Sequence, residues 1–311
     1  MSLSEVRRII SDIERKEIAS ADDTALAAVR VFKIFSRQYE GEDYLKELCR
    51  LCSELRMARK SSASLQNCVS YVLGRVEKVG SSRIEDLRKA TFEAADTFGR
   101  GIEEAKMKIA EIGVRRLEQG DTILTHGYST TVLSLLSKAS KIGLNLKIYI
   151  TEARPKLEGR QMAVETAKLG FETTIIADAA ARVFMEEVDK VLVGGDAIAV
   201  NGAVVGKVGT SMIAALAHEA RVRVMIALGT YKMSPTTLLG ELIEIEEGDE
   251  TEIVGPELLK MSEKLKARNP LHDVTPARYI DVLITEEGIF PPQGIYILFE
   301  ELKDKFGWTI P

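Results

Sequence analysis

The chain has few features that would place it in a membrane or a secretory pathway. Its 311 residues contain no apolar run of the roughly 18 residues that a membrane-spanning helix needs. The first residues alternate charged side chains with Val6, Ile9, Ile10 and Ile13, and they lack the continuous apolar block of a signal peptide. We therefore expect a cytoplasmic protein with no membrane partner.

Cysteine is scarce, with three residues in the whole chain. Cys49 and Cys52 form a C-x-x-C pattern, which occurs in redox and zinc sites. No second cysteine pair and no nearby histidine accompany it, and leucines at helical spacing surround it. This context favours packing in a core over a metal or redox site, so no metal is expected.

Two nucleotide-binding signatures and a basic charge balance are missing as well. The chain contains neither a P-loop nor a G-x-G-x-x-G fingerprint, which disfavours a nucleoside triphosphate or a dinucleotide cofactor. Its net charge of −5 disfavours direct nucleic-acid binding. We expect no cofactor. The 45% of apolar residues is typical of a globular protein with a sizeable core.

The pattern of apolar residues divides the chain into two parts. Residues 1–118 show helical spacing and no strand-like runs, with a break into two helices predicted at Gly99 and Gly101. From Gly120 onward, short β-branched runs alternate with helical stretches. The sequence therefore predicts an α/β protein: an N-terminal all-helical domain (1–118) and a doubly wound, mainly parallel Rossmann-like domain (119–311). The length also permits one large α/β domain.

Ligands of such folds bind beyond the carboxyl ends of the strands, so the loops there hold the candidate site. The first loop, residues 125–130, has a glycine turn before a helix that begins with Ser or Thr, which is typical of an anion site. His126 is an acid/base candidate there, with a structural hydrogen-bonding role as the alternative. Arg154 ends the next strand and suits a phosphate, although a salt bridge with Glu152 or Glu158 explains it equally well.

Two later loops add further polar groups. Gly194 and Gly195 precede Asp196, a carboxylate placed for acid/base work or for a sugar hydroxyl. Asn201 opens a predicted hairpin turn, and Lys207 stands just before another helix. Lys232 follows a later strand. We expect Arg154, Lys207 and Lys232 to converge on one rim around a phosphorylated ligand.

Several motifs together resemble one known family: ILTHGYS, TEARPKLEG, VGGDAIAVNGAVVGKVGT, YIDVLITEEGIFPP and, in the helical region, SASLQNCVSYV. The family unites the α, β and δ subunits of translation initiation factor 2B with isomerases of methylthioribose 1-phosphate and ribose 1,5-bisphosphate. The resemblance spans nearly the whole chain. It implies a helical domain followed by a Rossmann-like domain that has a phosphate-ligand pocket.

The resemblance also assigns positions. The isomerases of the family use a cysteine where this chain has Gly127, and an aspartate that is present here as Asp196. Ala19 and Ser20 stand where those enzymes have the Arg and Gly of a phosphate loop. Arg59, Lys207 and Lys232 match ligand-contacting positions of the family. Together with the loop residues, the predicted ligand-binding set is Arg59, His126, Gly127, Tyr128, Ser129, Arg154, Asp196, Asn201, Lys207 and Lys232, with Asp196 catalytic if the protein is an enzyme.

Because glycine cannot transfer a proton, the sequence favours a regulatory protein of the initiation factor 2B type. Its expected partners are the α subunit of initiation factor 2 and a sugar phosphate or nucleotide monophosphate. The alternatives are a sugar-phosphate aldose–ketose isomerase and a metabolite sensor without turnover. A homodimer or a larger oligomer is expected to form through apolar residues of the last strands and helix, namely Ile284, Ile289, Phe290 and Ile297.

Overall fold

A computed structural model describes residues 3–18, 20–306 and 308. Five helices come first and form the helical region predicted from the sequence. They are α1 (Leu3–Glu14), α2 (Ala21–Gln38), α3 (Tyr44–Ala58), α4 (Ala63–Glu77) and α5 (Ile84–Gly113). Ser20 and Ser62 cap α2 and α4 by accepting hydrogen bonds from the backbone N–H groups of Asp23 and Leu65.

Helix α5 corrects the prediction of a break at Gly99 and Gly101, because it runs unbroken for 30 residues. A Cβ atom at Gly99 would lie 3.1 Å from a methyl group of Val29 on α2. Gly99 therefore serves the close packing of two helices, and packing outweighs its low helical propensity.

Strands and helices alternate after α5, as the sequence predicts. The strands are β1 (Thr122–His126), β2 (Lys147–Thr151), β3 (Glu172–Ile176), β4 (Lys190–Gly194), β5 (Ala197–Ala199), β6 (Val204–Lys207), β7 (Arg223–Ala227), β8 (Met233–Ser234), β9 (His272–Thr275), β10 (Val282–Thr285) and β11 (Gly288–Phe290). The helices are α6 (Thr130–Lys141), α7 (Glu158–Lys168), α8 (Ala181–Phe184), α9 (Thr210–Ala220), α10 (Pro256–Lys260) and α11 (Ile295–Phe306).

Seven strands form the main sheet, in the order β11-β10-β7-β4-β1-β2-β3. All neighbours are parallel except β10 and β11. The chain winds from β1 towards β3 on one side and from β4 towards β10 on the other, so the predicted doubly wound fold is confirmed. Its switch point lies between β1 and β4, where ligands of such sheets bind.

A second sheet of four strands, β8-β5-β6-β9, was not predicted. It contains the hairpin expected at Asn201, because β5 and β6 pair antiparallel around a turn at Gly202, whose φ is +80°. Strand β9 pairs with β6 so that His272 lies opposite Lys207. This small sheet stands beside the carboxyl end of β4 and carries polar side chains to that edge.

The helical region and the main sheet share one buried core, which runs from Ile13 and Phe32 on the helices to Leu124 and Val193 on the strands. Hydrogen bonds of Asn67 on α4 connect the helical region to the α/β region. Its amide nitrogen donates to the carbonyl oxygens of Tyr231 and Met233 at 2.8 and 2.7 Å, and its amide oxygen accepts from the indole of Trp308 at 2.9 Å. The change of architecture falls between α5 and β1, where the sequence places it.

The structure also tests the roles expected for the cysteines and for the apolar residues of the subunit contact. Cys52 and Cys68 are buried in the core, and burial raises the pKa of the Cys52 thiol to about 12, as a packing role implies. Cys49 is exposed, so the prediction of core packing is wrong for this residue of the C-x-x-C pattern. Ile284 is fully buried in β10 and cannot supply a subunit contact, whereas Ile297 on α11 is 65% exposed. Among the described residues, no helix combines the length and the apolar character that crossing a membrane would take.

Candidate functional site

A cavity of about 280 Å³ opens at the carboxyl ends of β1 and β4. Its volume lies just below the range of drug-sized ligand pockets, so it suits a small phosphorylated sugar better than a dinucleotide. Five basic side chains line it: Lys16, Arg59, Lys156, Lys207 and Lys232. Four acidic side chains also line it: Glu17, Asp22, Glu158 and Asp196.

Helix N-termini add positive potential to this cavity. The wall includes Ser20, which caps α2, and Ser129, which caps α6 by accepting a hydrogen bond from the backbone N–H of Val132. The aligned peptide dipoles of helices of 18 and 12 residues therefore point their positive ends at one space. Such an arrangement attracts an anion such as a phosphate. Ala19, which the sequence places in the same loop as Ser20, lies outside the described residues.

The ammonium group of Lys232 is fixed at the base of the cavity. It lies 2.8 Å from the carboxylate of Asp22 and donates a hydrogen bond of 3.0 Å to the carbonyl oxygen of Gly195. Asp22 also accepts hydrogen bonds from the hydroxyls of Tyr231 and Thr130, at 2.7 and 2.8 Å. Burial alone would raise the pKa of Asp22, but Lys232 and the two hydroxyls outweigh it and lower the pKa to about 2.

Two further cations stand higher on the wall. Lys207 forms an ion pair of 2.9 Å with Glu158 at the start of α7. The buried guanidinium of Arg59 donates a hydrogen bond of 2.9 Å to the hydroxyl of Thr24 and lies 3.9 Å from the carboxylate of Glu246. A bound phosphate would compete with these carboxylates for the same donors. The strength of ligand binding should therefore depend on how readily the ion pairs open.

The end of β1 and the loop after it hold a glycine and a histidine whose ring is fully engaged. Gly127 has a φ of +68°, and a Cβ atom there would lie 3.3 Å from the Cγ atom of Lys207. His126 beside it is buried, and both of its ring nitrogens are engaged, with the carbonyl oxygen of Val208 at 2.8 Å and with the hydroxyl of Thr151. Burial lowers the pKa of His126. These contacts favour the structural role over the acid/base role.

Asp196 follows β4 and reaches the cavity with a partly exposed carboxylate. Its Oδ2 atom lies 3.7 Å from Nε2 of His272, which also lines the cavity. Burial lowers the pKa of His272, while the charge of Asp196 opposes that effect. The glycines before Asp196 are sterically required, since a Cβ atom at Gly195 would lie 2.7 Å from Val204 and 2.8 Å from Leu228.

The structure brings together most residues of the set predicted from the sequence. The cavity wall contains Arg59, His126, Tyr128, Ser129, Asp196, Lys207 and Lys232. Gly127 lies beside the wall, since a Cβ atom added there would stand 3.3 Å from the side chain of Lys207.

Two predicted residues, Arg154 and Asn201, lie outside the cavity wall. The prediction that Arg154 joins Lys207 and Lys232 on one rim is therefore wrong. The exposed guanidinium of Arg154 points to the carbonyl oxygens of Glu252 and Ile253, at 3.4 and 3.3 Å, and does not line the cavity. Neither predicted salt bridge forms with it among the described contacts, because Arg160 takes Glu152 and Lys207 takes Glu158. Asn201 is exposed in the hairpin turn, where its side-chain oxygen accepts a hydrogen bond from the N–H of Ala203.

Sequence reasoning missed six charged or titratable residues of the wall. They are Lys16, Glu17, Asp22, Lys156, Glu158 and His272. Asp22 lies in the first turn of α2 and is the buried counter-ion of Lys232. His272 reaches the cavity through the pairing of β9 with β6. Strand pairing across 65 residues leaves no local signal in a sequence.

Comparison with known proteins identifies the family. The model of the initiation factor 2 subunit family matches residues 17–292. The chain is 40% identical to the ribose 1,5-bisphosphate isomerase of Pyrococcus furiosus, over 99% of this chain and 96% of that protein. The crystal structure of the translation initiation factor eIF-2B of Pyrococcus horikoshii OT3 is similar with a TM-score of 0.80 and 30% identity, over 92% of this chain and 97% of that one.

A third comparison concerns the fold alone, at 20% identity. The tetrameric eIF2B-beta2-delta2 complex from C. thermophilum contains a chain similar to this one with a TM-score of 0.73, over 97% of this chain and 95% of that chain. Structural relatives of this chain thus occur in oligomeric complexes.

The prediction of a regulatory subunit is wrong on these comparisons. Six archaeal relatives that are 34–40% identical over nearly the full length are named ribose 1,5-bisphosphate isomerase. The partner predicted with the regulatory role, the α subunit of initiation factor 2, loses its support at the same time. The absence of a thiol at Gly127 carried that prediction, and full-length similarity to enzymes outweighs one position. By its motifs, its fold and these matches, the chain belongs to the initiation factor 2 subunit family.

Proposed function

We propose that this chain binds a phosphorylated pentose in the cavity and interconverts its aldose and ketose forms, with ribose 1,5-bisphosphate as the substrate. The observation that carries the proposal is the position of Asp196. Its carboxylate faces a small cavity where lysines and two helix N-termini attract phosphate. The shared name of six relatives supports the same substrate class.

The chemistry needs one proton donor and one proton acceptor. The furanose ring opens when its oxygen receives a proton, and the hydrogen on C2 then moves to C1. The hydroxyl group on C2 loses its proton and becomes the carbonyl of the ketose. Asp196 is the acceptor in this proposal, because an ionised carboxylate in hydrogen-bond reach of a sugar hydroxyl can take that proton. Lys207 and Lys232 hold the phosphates and fix the orientation of the sugar.

Gly127 favours a second candidate function, namely binding of the same ligand without turnover. The resemblance to the family places a catalytic cysteine at this position, and the loss of an acid/base group commonly lowers a rate by about 10² to 10⁴. A protein with the pocket but without one proton-transfer group would report the level of its ligand. The two candidates share the binding site and differ in the fate of the ligand.

One experiment separates them. The protein is incubated with ribose 1,5-bisphosphate, ketose formation is followed, and thermal unfolding is recorded in parallel. We expect ketose to form and Asp196→Asn to abolish its formation. A stabilised protein without ketose would establish the second candidate, since a ligand of the native state raises the melting temperature. Neither ketose nor stabilisation would exclude both functions.

We also propose that the chain forms a homodimer through the outer face of α11. Tyr296 and Ile297 are 50% and 65% exposed there, and partly buried Ile289 and Phe290 lie on the preceding strand. Large exposed apolar side chains of this kind mark subunit contacts. Light scattering should give twice the chain mass of 34.3 kDa, and a monomer at micromolar concentration would contradict the proposal.

A further inference from the structure

The cavity contains an imidazole that the sequence motifs do not assign. His272 stands on β9, lines the cavity wall and has a side chain that is 11% exposed. Asp196 lies 3.7 Å away, so a carboxylate and an imidazole face the same space. We infer that His272 is the second acid/base residue of this site and supplies the proton transfer for which Gly127 has no side-chain atom. This inference rests on the proposed isomerase function.

Three other titratable groups of the cavity wall are engaged with partners. His126 has hydrogen-bonding partners at both ring nitrogens, Val208 and Thr151. Lys207 and Lys232 are held in ion pairs of 2.9 and 2.8 Å. Within the described part of the chain, by contrast, the single ion-pair contact found for His272 is the one with Asp196. Its ring is therefore the histidine of the cavity that can exchange a proton with a ligand.

The pair also closes the proton balance of the reaction. Protonated His272 gives one proton to the ring oxygen as the bond between that oxygen and C1 breaks. The C2 hydrogen moves to C1 with its electron pair, and Asp196 receives the proton of the C2 hydroxyl. No oxidant or reductant is needed. Afterwards Asp196 carries a proton that His272 lacks, and their separation of 3.7 Å allows its return directly or through one water molecule.

Ligand binding should favour the protonated form of the His272 ring. Burial is the first cause that lowers the pKa of His272, and Arg59 and Lys207 lower it further, whereas Asp196 and Glu246 raise it. Glu244 also lines the space on this side of the ring. Phosphate groups that bind near Arg59 and Lys207 would offset those cations and so favour the protonated ring. Binding near neutral pH should therefore be accompanied by proton uptake.

The test combines kinetics with titration. The chain has three histidines, so its ring C–H resonances in an NMR spectrum are few enough to follow one by one. We expect inorganic phosphate at saturating concentration to raise the pKa of His272, and Asp196→Asn to lower it. His218→Gln is the matched control, because that ring is exposed on α9 and outside the cavity wall.

In the kinetic arm, ribose 1,5-bisphosphate is the substrate. His272→Gln should lower kcat about 100-fold or more with KM changed by less than about threefold, and it should remove one limb of the pH–rate profile. Added imidazole should restore part of the activity of His272→Ala, a rescue that a purely structural role would not give. The control His218→Gln should keep the wild-type rate.

The outcomes separate the inference from the proposed function. Wild-type turnover with an unchanged rate and pH profile in His272→Gln would overturn the inference and leave the isomerase intact. No turnover by the wild-type protein would overturn both. If His272→Gln fails to fold, the titration of His272 in the wild-type protein tests the inference. A pKa of His272 that phosphate does not raise would contradict the inference that ligand binding protonates this ring.

Discussion

The ion pair between Asp22 and Lys232 makes a quantitative prediction. Both side chains are at most 5% exposed, and their charged atoms lie 2.8 Å apart. The substitution Lys232→Met keeps the length of the side chain and removes its charge. It leaves the carboxylate of Asp22 buried, with hydroxyl donors as its remaining described partners: Tyr231, Thr130 and, at 3.3 Å, Thr131.

The expected loss follows from the cost of an uncompensated buried charge. Removal of one partner from a buried pair typically destabilises a protein by about 3–5 kcal/mol. Because hydroxyl groups still bind Asp22, we expect the lower end, about 3 kcal/mol. At about 2 °C per kcal/mol for a chain of this size, the melting temperature should fall by about 6 °C.

The pH dependence supplies a second signature. The pKa of Asp22 is about 2 in the folded protein against an ordinary value of 3.8. A lowered carboxyl pKa stabilises the fold above pH 3.8, and that contribution is lost as the pH falls from about 3.8 towards 2. The difference of roughly two pKa units corresponds to about 2–3 kcal/mol. In Lys232→Met, the free energy of unfolding should depend less on pH over this range.

The assay is a double-mutant cycle measured by thermal and urea unfolding. It compares the wild-type protein with Lys232→Met, Asp22→Asn and the double variant. The double variant contains no unpaired charge at this place, so it should be less destabilised than the sum of the two single variants. A coupling free energy below about 1 kcal/mol, with pH profiles unchanged below pH 4, would refute the assignment of this pair as a strongly coupled ion pair.

Three other changes test the cavity and the dimer. Gly127→Cys should cost about 1–2 kcal/mol, because its φ is +68° and the new side chain crowds Lys207, and it should leave the isomerase rate within about threefold because His272 already transfers the proton; a rate raised tenfold or more would show that a thiol is missing here. Lys207→Ala should weaken the stabilisation by ribose phosphates, and high salt should do the same, whereas Arg154→Ala should leave it unchanged because that side chain points to another loop. Ile297→Glu should turn a dimer into a monomer in light scattering without lowering the melting temperature of the monomer.

The main sheet could be predicted from local patterns in the sequence. Short β-branched runs between helical stretches predicted the mainly parallel sheet, and the strand ends located Asp196 and Lys232 at one edge. These inferences work because the ends of parallel strands meet at one edge whatever the loops do. The helix cap at Ser129 is equally local, since it depends on residues three apart.

Contacts between distant segments were beyond such reasoning. The direction of Arg154 is set by carbonyl groups of residues 252 and 253, and the place of His272 is set by the pairing of β9 with β6. Gly99 looked like a helix breaker because the methyl group of Val29 that it accommodates belongs to another helix. Propensity describes a residue with its sequence neighbours, whereas these features depend on residues from 65 to about 100 positions away.

The ion pair between Asp22 and Lys232 limits which substitutions this chain can accept in evolution. One partner comes from the helical region and the other from the loop after β7, yet both line the same cavity. A mutation at either position is harmful until the other changes too, so the two should be inherited as a unit. A chimera that joins the helical region of one relative to the sheet of another should therefore stay folded and keep its pocket only when both parents carry a matched pair.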